Sequence, residues 1–534
     1  MCEGYAPPKV KKLALRTERV LLPKPGLIVS TASSGQTTAT PPQPASSHAT
    51  PSPMPSFGFE LNDGDGWYFT LFRDQIAHEL SPYYQSNFWT RTSLRDSMVN
   101  KCIHHSILSI GAYARALMDL RNEYSCRGNI SRTWWPPSVL NRHHQAALVH
   151  HAKALSHLRS DIDMYGIDSR VTMAATLLFI VFENMQGNYH SSGNLIRSGI
   201  KVATNLRRTY GDSRSTVRYQ CHRPLAVPRD EVEEMTDMFA RHSITSAYIP
   251  FAHGKFAYHL LLAEDEDDDD GVLGLAKPHP FAIPQTLAQA RRIWDYLLPR
   301  LANFQSKAVW HNLNPDYDFD KTAALREQAT YLAQLHDFGV GLESLMFSPM
   351  DSRESRGLEL LRLHRIVAFV FVSCCLDPTE MLYDGFLPQF EDVVQRSRAF
   401  LDFQSDMPTK VGFTNEVGVL LLLAFVSAKC RTARVRLEAV ELMRRLDWRE
   451  GSWDSMSLAN AVEEMVKLEG QLEISNQRET SQLTDIPLVP PAEARYTWSN
   501  LFWDFEKQQV HIEYINVLPD IYNRFKKVSY IIDI

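Results

Sequence analysis

Residues 146–159 read AALVHHAKALSHLR. Leu148, Ala152, Leu155 and Leu158 return at intervals of three and four residues, which sets them along one side of an α-helix and does not fit the two-residue period of a strand. Working outward, the same period recurs at 191–204, 288–298, 358–375, 390–401, 417–445 and 457–468. Pro228 and Asp230 read as a helix start, because an aspartate at that point can cap free backbone N–H groups, and a helix over 232–249 is expected behind them. Strand-like alternation is sparse, at Val510, Ile512 and Tyr514 and at the terminal 530–534.

Three stretches interrupt this pattern. Residues 121–142 contain Trp134-Trp135-Pro136-Pro137 and read as a loop, 205–228 are polar and basic, and 264–270 (EDEDDDD) form a self-repelling block expected to be solvated. Ahead of the helices, 1–22 are basic. Residues 23–58 are rich in Pro, Ser and Thr and poor in large apolar side chains, so they cannot bury enough surface to offset their ordering entropy. The expected organisation is a short basic segment (1–22), a disordered linker (23–58) and a helical body (59–534).

Composition narrows the function classes. With 534 residues, 44% hydrophobic and 10% aromatic, the chain can bury a large core. Its net charge of −6 excludes a nucleic-acid binder of the whole-chain basic kind, so any DNA contact must sit in a local patch. The seven cysteines are scattered and none forms a C-x-x-C pair, which argues against a disulfide framework and an internal zinc site and for a reducing, intracellular setting. The apolar runs 171–182, 366–376 and 417–428 fall short of the ~18–20 residues a membrane-spanning helix needs, and are read as buried helices.

No motif supports catalysis. G-x-S-x-G, G-x-x-x-x-G-K-[ST] and G-x-G-x-x-G are absent, and Gly187 and Gly193 bracket a polar turn with the wrong spacing for a phosphate cradle. No catalytic or cofactor-binding residue is assigned, and the chain is read as not an enzyme. His143, His150 and His157 recur every seventh residue, with His144 and His151 repeating the step. Seven residues of helix rise ~10.5 Å, too far for two ligands of one metal, so these histidines are expected to pack or face solvent. Adjacent His104 and His105 diverge on a helix.

Several segments, taken in order, resemble the regulatory region of fungal Zn(II)2Cys6 transcription factors, the group with a fungal-specific transcription factor domain. They are Phe179-Ile-Val-Phe-Glu-Asn-Met-Gln-Gly-Asn-Tyr189 with His190 and Ser198-Gly199; Glu233-Glu234-Met235 through Phe239-Ala240-Arg241; Leu287-Ala-Gln-Ala-Arg291; and, most specific, Ala428-Lys429-Cys430-Arg431, Arg434, Arg436, Glu438-Ala439 and Arg449-Glu450-Gly451-Ser452-Trp453-Asp454. Arg434 and Arg436 are expected to pair with acids at a helix surface, and Glu450-Gly451 to end a helix before Trp453 packs.

The resemblance implies an all-α fold, an array of antiparallel helices, and a nuclear protein that regulates transcription, often of a metabolic or secondary-metabolite gene set. It further implies a DNA-binding module of six cysteines around two zinc ions. Met1-Cys2-Glu3-Gly4-Tyr5 looks like the end of that module, and Cys2 alone matches a ligand position. The basic residues Lys9, Lys11, Lys12, Arg16 and Arg19 behind it are candidates for DNA contact or nuclear import. No zinc is expected in the chain as written, and zinc and DNA enter only if upstream residues complete the cluster. Partners open at this point are a homodimer or heterodimer and a small-molecule effector, with no membrane. Two other readings remain open: a cluster-less helical protein that modulates transcription through partners, and an α-helical ligand-binding protein or enzyme.

Overall fold

A computed structural model of the chain describes residues 63–126, 141–213, 230–245, 283–314, 319–404, 412–470, 489–504, 507 and 509–533, all within the compact unit Met54–Ile534. The basic segment with Cys2, Lys9, Lys11, Lys12, Arg16 and Arg19, the linker 23–58, the Trp134-Trp135 stretch and the acidic block 264–270 lie outside the described residues.

The described chain is mainly helical and divides into two hydrophobic cores. The first is built from α1 (Asp63–Leu71), a π-helical turn (Phe72–Ile76), α2 (Ala77–Glu79), a second π-turn (Phe88–Thr92), α3 (Ser93–Ser97), α4 (Lys101–Cys126), α5 (Arg142–Tyr165), α6 (Ser169–Gln186), α7 (Tyr189–Ser213) and α8 (Glu231–Thr245). Local chemistry sets the ends. The Asn141 side chain accepts the His144 N–H at 2.8 Å, Asp168 accepts those of Arg170 and Val171, and Asp230 accepts that of Glu233 at 2.9 Å. Gly187 ends α6 at φ 82°, where a side chain would be strained. The loop expected over 121–142 is helical at both ends, since α4 continues to Cys126 and α5 starts at Arg142; the residues between 126 and 141 lie outside the described ones. The turn expected between Gly187 and Gly193 closes at Gly187, with Gly193 already inside α7.

The decisive stretch 146–159 is helical, but the buried side is not the leucine stripe. Ala147, His150 and Ala154 face the core, while Leu148 and Leu155 are 39% and 45% exposed. This side of α5 packs along α4. Small residues and histidines fill the seam, and several of the histidines find polar partners there. His150 Nε2 lies 3.3 Å from Asp65 and its Nδ1 3.1 Å from that of His105, while the Tyr68 hydroxyl meets His143 Nδ1 at 2.8 Å. His105 also stacks on His157. Burial, then His150, push the His105 imidazole down to about 3, so it is neutral at neutral pH. The seven-residue histidine repeat is therefore a packing device, as expected. Among the described residues no group of three or more His, Cys, Asp or Glu is placed to hold a metal ion.

The second core comprises α9 (Leu287–Leu313), α10 (Lys321–Leu345), α11 (Ser352–Cys374), α12 (Leu387–Gln404), α13 (Leu420–Lys429), α14 (Ala433–Leu446) and α15 (Ser455–Leu468). α13 is buried along its whole length, which explains its unbroken apolar run. The single helix expected over 417–445 is in fact two, broken where Cys430 and Thr432 are extended. A break there lets Lys429 and Arg431 both turn inward onto Glu380. At the end of the described chain, β4 (Tyr496–Asp504), β5 (Gln509–Pro519) and β6 (Phe525–Asp533) form an antiparallel sheet in the order β4-β5-β6, with Tyr514 opposite Trp498 on one side and Val528 on the other. The alternation at Val510, Ile512 and Tyr514 is its central strand, whose buried face joins the second core. No helix among the described residues is long and apolar enough to cross a membrane.

A small sheet stitches the two cores together. Its strands β1 (Phe413–Thr414), β2 (Arg449–Glu450) and β3 (Trp453–Asp454) run in that order, β1 parallel to β2, and Phe413 belongs to the first core.

Candidate functional site

Four segments converge on one charged cleft at the seam. α8 carries Glu234, Asp237, Arg241 and His242, α9 carries Arg291, Arg292 and Asp295, α11 carries Arg353 and His364, and the exit of β1 carries Asn415 and Glu416. A fifth segment completes the wall, the strap between α2 and the second π-turn, residues 80–87, which passes from one core to the other: Leu80 belongs to the first, Tyr83 and Tyr84 to the second, and Phe88 just after it to the first again. The cleft has a volume of about 1120 Å³ and narrows to an inner pocket of about 40 Å³ walled by Trp89, Met238, Trp294 and Leu361.

Helical spacing places the charges. Arg291 and Asp295 stand four residues apart on one face of α9, and Asp237 and Arg241 do the same on α8. Asp295 bridges the helices, accepting Arg241 Nη1 at 2.9 Å and Arg291 Nε at 3.2 Å. Arg291 Nη2 reaches Glu416 at 2.8 Å, and its guanidinium lies 4.0 Å over the Tyr84 ring. The Ser81 hydroxyl donates to Glu416 at 3.0 Å, and Arg353 Nη2 donates to the carbonyl oxygens of Ser81 and Tyr84 at 2.5 Å each.

Burial shapes the electrostatics. It would raise the Glu416 carboxyl, but Arg291 and Arg241 outweigh it and hold the group at about 2. Asp237 goes the other way: burial first, then Asp295, push it up to about 7 against Arg241 and Arg292. Burial lowers His242 to about 4 and His364 to about 3, so both imidazoles at the inner pocket are neutral at neutral pH. The arrangement offers an aromatic pocket with neutral polar groups, opening through a ring of guanidinium groups and carboxylates. It can bind and orient a polar small molecule.

The motif residues singled out in the sequence act as joints around this cleft. Arg241 and Arg291, from two separate motifs, meet on one carboxylate. Arg449 Nη1 donates to the Met185 carbonyl at 3.2 Å and Ser452 to Asn184 at 3.0 Å, so the 449–454 motif clamps the 179–189 motif of the other core. Gly199 leaves room for the Phe239 ring, which a Cβ would strike. Glu450, expected to end a helix, lies instead in β2 and accepts the N–H groups of Gly418 at 2.8 Å and Leu420 at 3.2 Å, capping the start of α13 from a distance. Burial holds its carboxyl up at about 7. Arg436, expected at a helix surface, is fully buried; Arg434 is at the surface, paired with Glu391. Asp237, Asp295, Arg353 and Glu416 carried no signal beyond ordinary helix-surface charge.

Comparison with known proteins finds no curated protein and no solved structure that matches the chain. One family model does match, and it covers most of the first core and the α8 wall of the cleft: residues 68–264 are similar to the fungal specific transcription factor domain.

Proposed function

We propose that the chain is the regulatory body of a transcription regulator that acts in the nucleus on a metabolic or secondary-metabolite gene set, is not an enzyme, and answers to a small molecule in the seam cleft. The observation that carries this reading is the match of 68–264 to the fungal specific transcription factor domain. The cleft supports the effector: it lies between two cores joined by a few polar clamps, so a ligand gripping both walls would bias their arrangement. DNA contact belongs to the reading through a Zn(II)2Cys6 cluster, in which Cys2 is one ligand position and Lys9, Lys11, Lys12, Arg16 and Arg19 follow as the basic run. Zinc requires the five other cysteines of such a cluster. Assembly as a homodimer or heterodimer fits paired half-sites.

Fusion of the chain to an unrelated DNA-binding domain tests the central claim. Expression of a reporter carrying the matching site should change several-fold, upward or downward, relative to the DNA-binding domain alone. A reporter that stays at the control level in a nuclear, folded fusion overturns the reading.

A further inference from the structure

Most charged groups around the cleft are compensated. Arg241 and Arg291 share Asp295 and Glu416, and Arg95 and Arg170 share Glu231. The carboxylates without a cation are occupied by N–H and hydroxyl donors: Glu234 accepts from Ser86 Oγ at 2.9 Å and Phe88 N at 3.1 Å, and Asp351 and Glu354 cap the start of α11. The spare capacity is on the donor side. Arg353 has no carboxylate within ion-pair distance among the described residues, and its Nε is buried without a hydrogen-bond partner. Partial burial pulls its pKa below the ordinary arginine value, and Asp351 and Glu416, too far off for ion pairs, only partly offset this. Arg292 holds Glu233 at 2.9 Å through Nη2, but its Nη1 is also buried without a hydrogen-bond partner, with Asp237 standing off at 3.8 Å. A buried donor left unmade costs free energy, and a buried unpaired charge costs more.

We propose that the cleft binds a small anionic molecule bearing a carboxylate or phosphate group, which takes the free donors of Arg353 and Arg292, with Asp237 as the competing carboxylate that must be neutral for tight binding. The proposal rests on the reading of the cleft as an effector site and adds the chemical class and a proton linkage. The groups facing Asp237 are Arg241 and Glu233 on its own helix and Arg292 and Asp295 on α9. Asp237 takes up a proton as pH falls through about 7, which neutralises the carboxylate that stands 3.8 Å from Arg292 Nη1 and leaves Glu233 on Nη2. Anion affinity therefore rises as pH falls and is lost as pH rises.

Calorimetric titration of the full chain decides this. The probes are succinate for the carboxylate class and sulfate as a non-titrating stand-in for a phosphate ester, each against chloride at equal ionic strength, at about pH 6.5 and about pH 8. At least one dianion should bind, roughly tenfold more tightly at the lower pH; which one binds identifies the source of the charge. Arg353→Gln should weaken binding by roughly tenfold, the scale of one charge-assisted hydrogen bond. Asp237→Asn, which keeps the shape of the side chain, should bring the affinity at the higher pH up to that at the lower. It also keeps the test open if Arg353→Gln does not fold. Binding of neither dianion, equal binding by folded Arg353→Gln, or an unchanged pH dependence in Asp237→Asn each overturns the proposal. A reporter fusion without effect would sink the transcriptional reading and leave these titrations standing, so the two failures are distinct.

Discussion

Glu469 at the end of α15 is wholly buried, and it survives as a carboxylate because two arginines share it. Arg436 Nη1 lies 2.5 Å from one oxygen and Arg431 Nη2 3.2 Å from the other, while the Tyr496 N–H adds a bond of 2.9 Å. Burial alone would raise the Glu469 carboxyl; Arg431 and Arg436 outweigh it and hold the group below its usual range. The same two arginines anchor the chain around them, Arg436 on the Ser427 carbonyl at 2.7 Å and Arg431 on the Tyr496 carbonyl at 3.0 Å. Removing the one carboxylate leaves the buried Arg436 guanidinium without its ion-pair partner and Arg431 with Glu380, which Lys429 also uses. Glu469→Gln should therefore destabilise the fold by about 3–5 kcal/mol in urea unfolding, the range for a broken buried ion pair. Arg434, two residues from Arg436, is 67% exposed, and Arg434→Gln should cost less than about 1 kcal/mol. Equal losses for the two variants would show that the buried network does not carry the difference.

At the scale of elements, periodicity located helices well and faces poorly. The period of 146–159 is helical in sequence and in structure, yet which face is buried depends on where α4 packs, which no local pattern records. The stretch 417–445 carries a helical period throughout, and the break at 430–432, marked locally only by Cys430 and Thr432, goes with contacts from Lys429 and Arg431 to Glu380, far away along the chain. The central strand β5 was visible through its alternation; β4 was not, because its pairing with β5 supplies what its own sequence lacks. The cleft was half legible: Arg241 and Arg291 stood in motifs, while Asp237 and Arg353 look like any exposed helix charge until their burial is known. Where a motif did mark packing, it makes a sharp prediction. Gly199 on α7 lies under the Phe239 ring of α8, and a Cβ there would overlap the ring. Gly199→Ala should cost about 1–3 kcal/mol, as overpacking does, although alanine is the better helix former. Gly64, whose Cβ would meet nothing, is the control and should tolerate alanine. A thermal melt in which Gly199→Ala matches the wild type would mean that α7 and α8 are free to part.

At the scale of the molecule, the two cores share few joints, and Glu416 occupies a central one. It holds Arg291 of the second core at 2.8 Å and the Ser81 hydroxyl on the strap at 3.0 Å. Close by, the Asn415 N–H donates to the Leu80 carbonyl at 3.2 Å and the Asn415 side chain meets His242 at 2.8 Å. The strap, β1 and α9 are thus tied at a single point, and coupling between the cores depends on it more than on apolar area, which each core buries separately. Cores coupled this way should unfold in one transition. Glu416→Ala removes one of the two carboxylates that compensate Arg291 and leaves the buried guanidinium with Asp295, which Arg241 also uses, a cost of about 3 kcal/mol that falls on the joint rather than on either core. In the wild type, urea unfolding should follow one curve whether read by intrinsic tryptophan fluorescence, to which Trp89 in the first core and Trp294, Trp448, Trp453 and Trp498 in the second contribute, or by far-ultraviolet circular dichroism, which reports the helices. In Glu416→Ala the two signals should separate into two steps. Glu416→Gln, which keeps the hydrogen bond to Ser81 but not the charge, should fall between them. Coincident curves in Glu416→Ala, shifted to lower urea but still single, would show that the strap and the small sheet hold the cores together without this carboxylate.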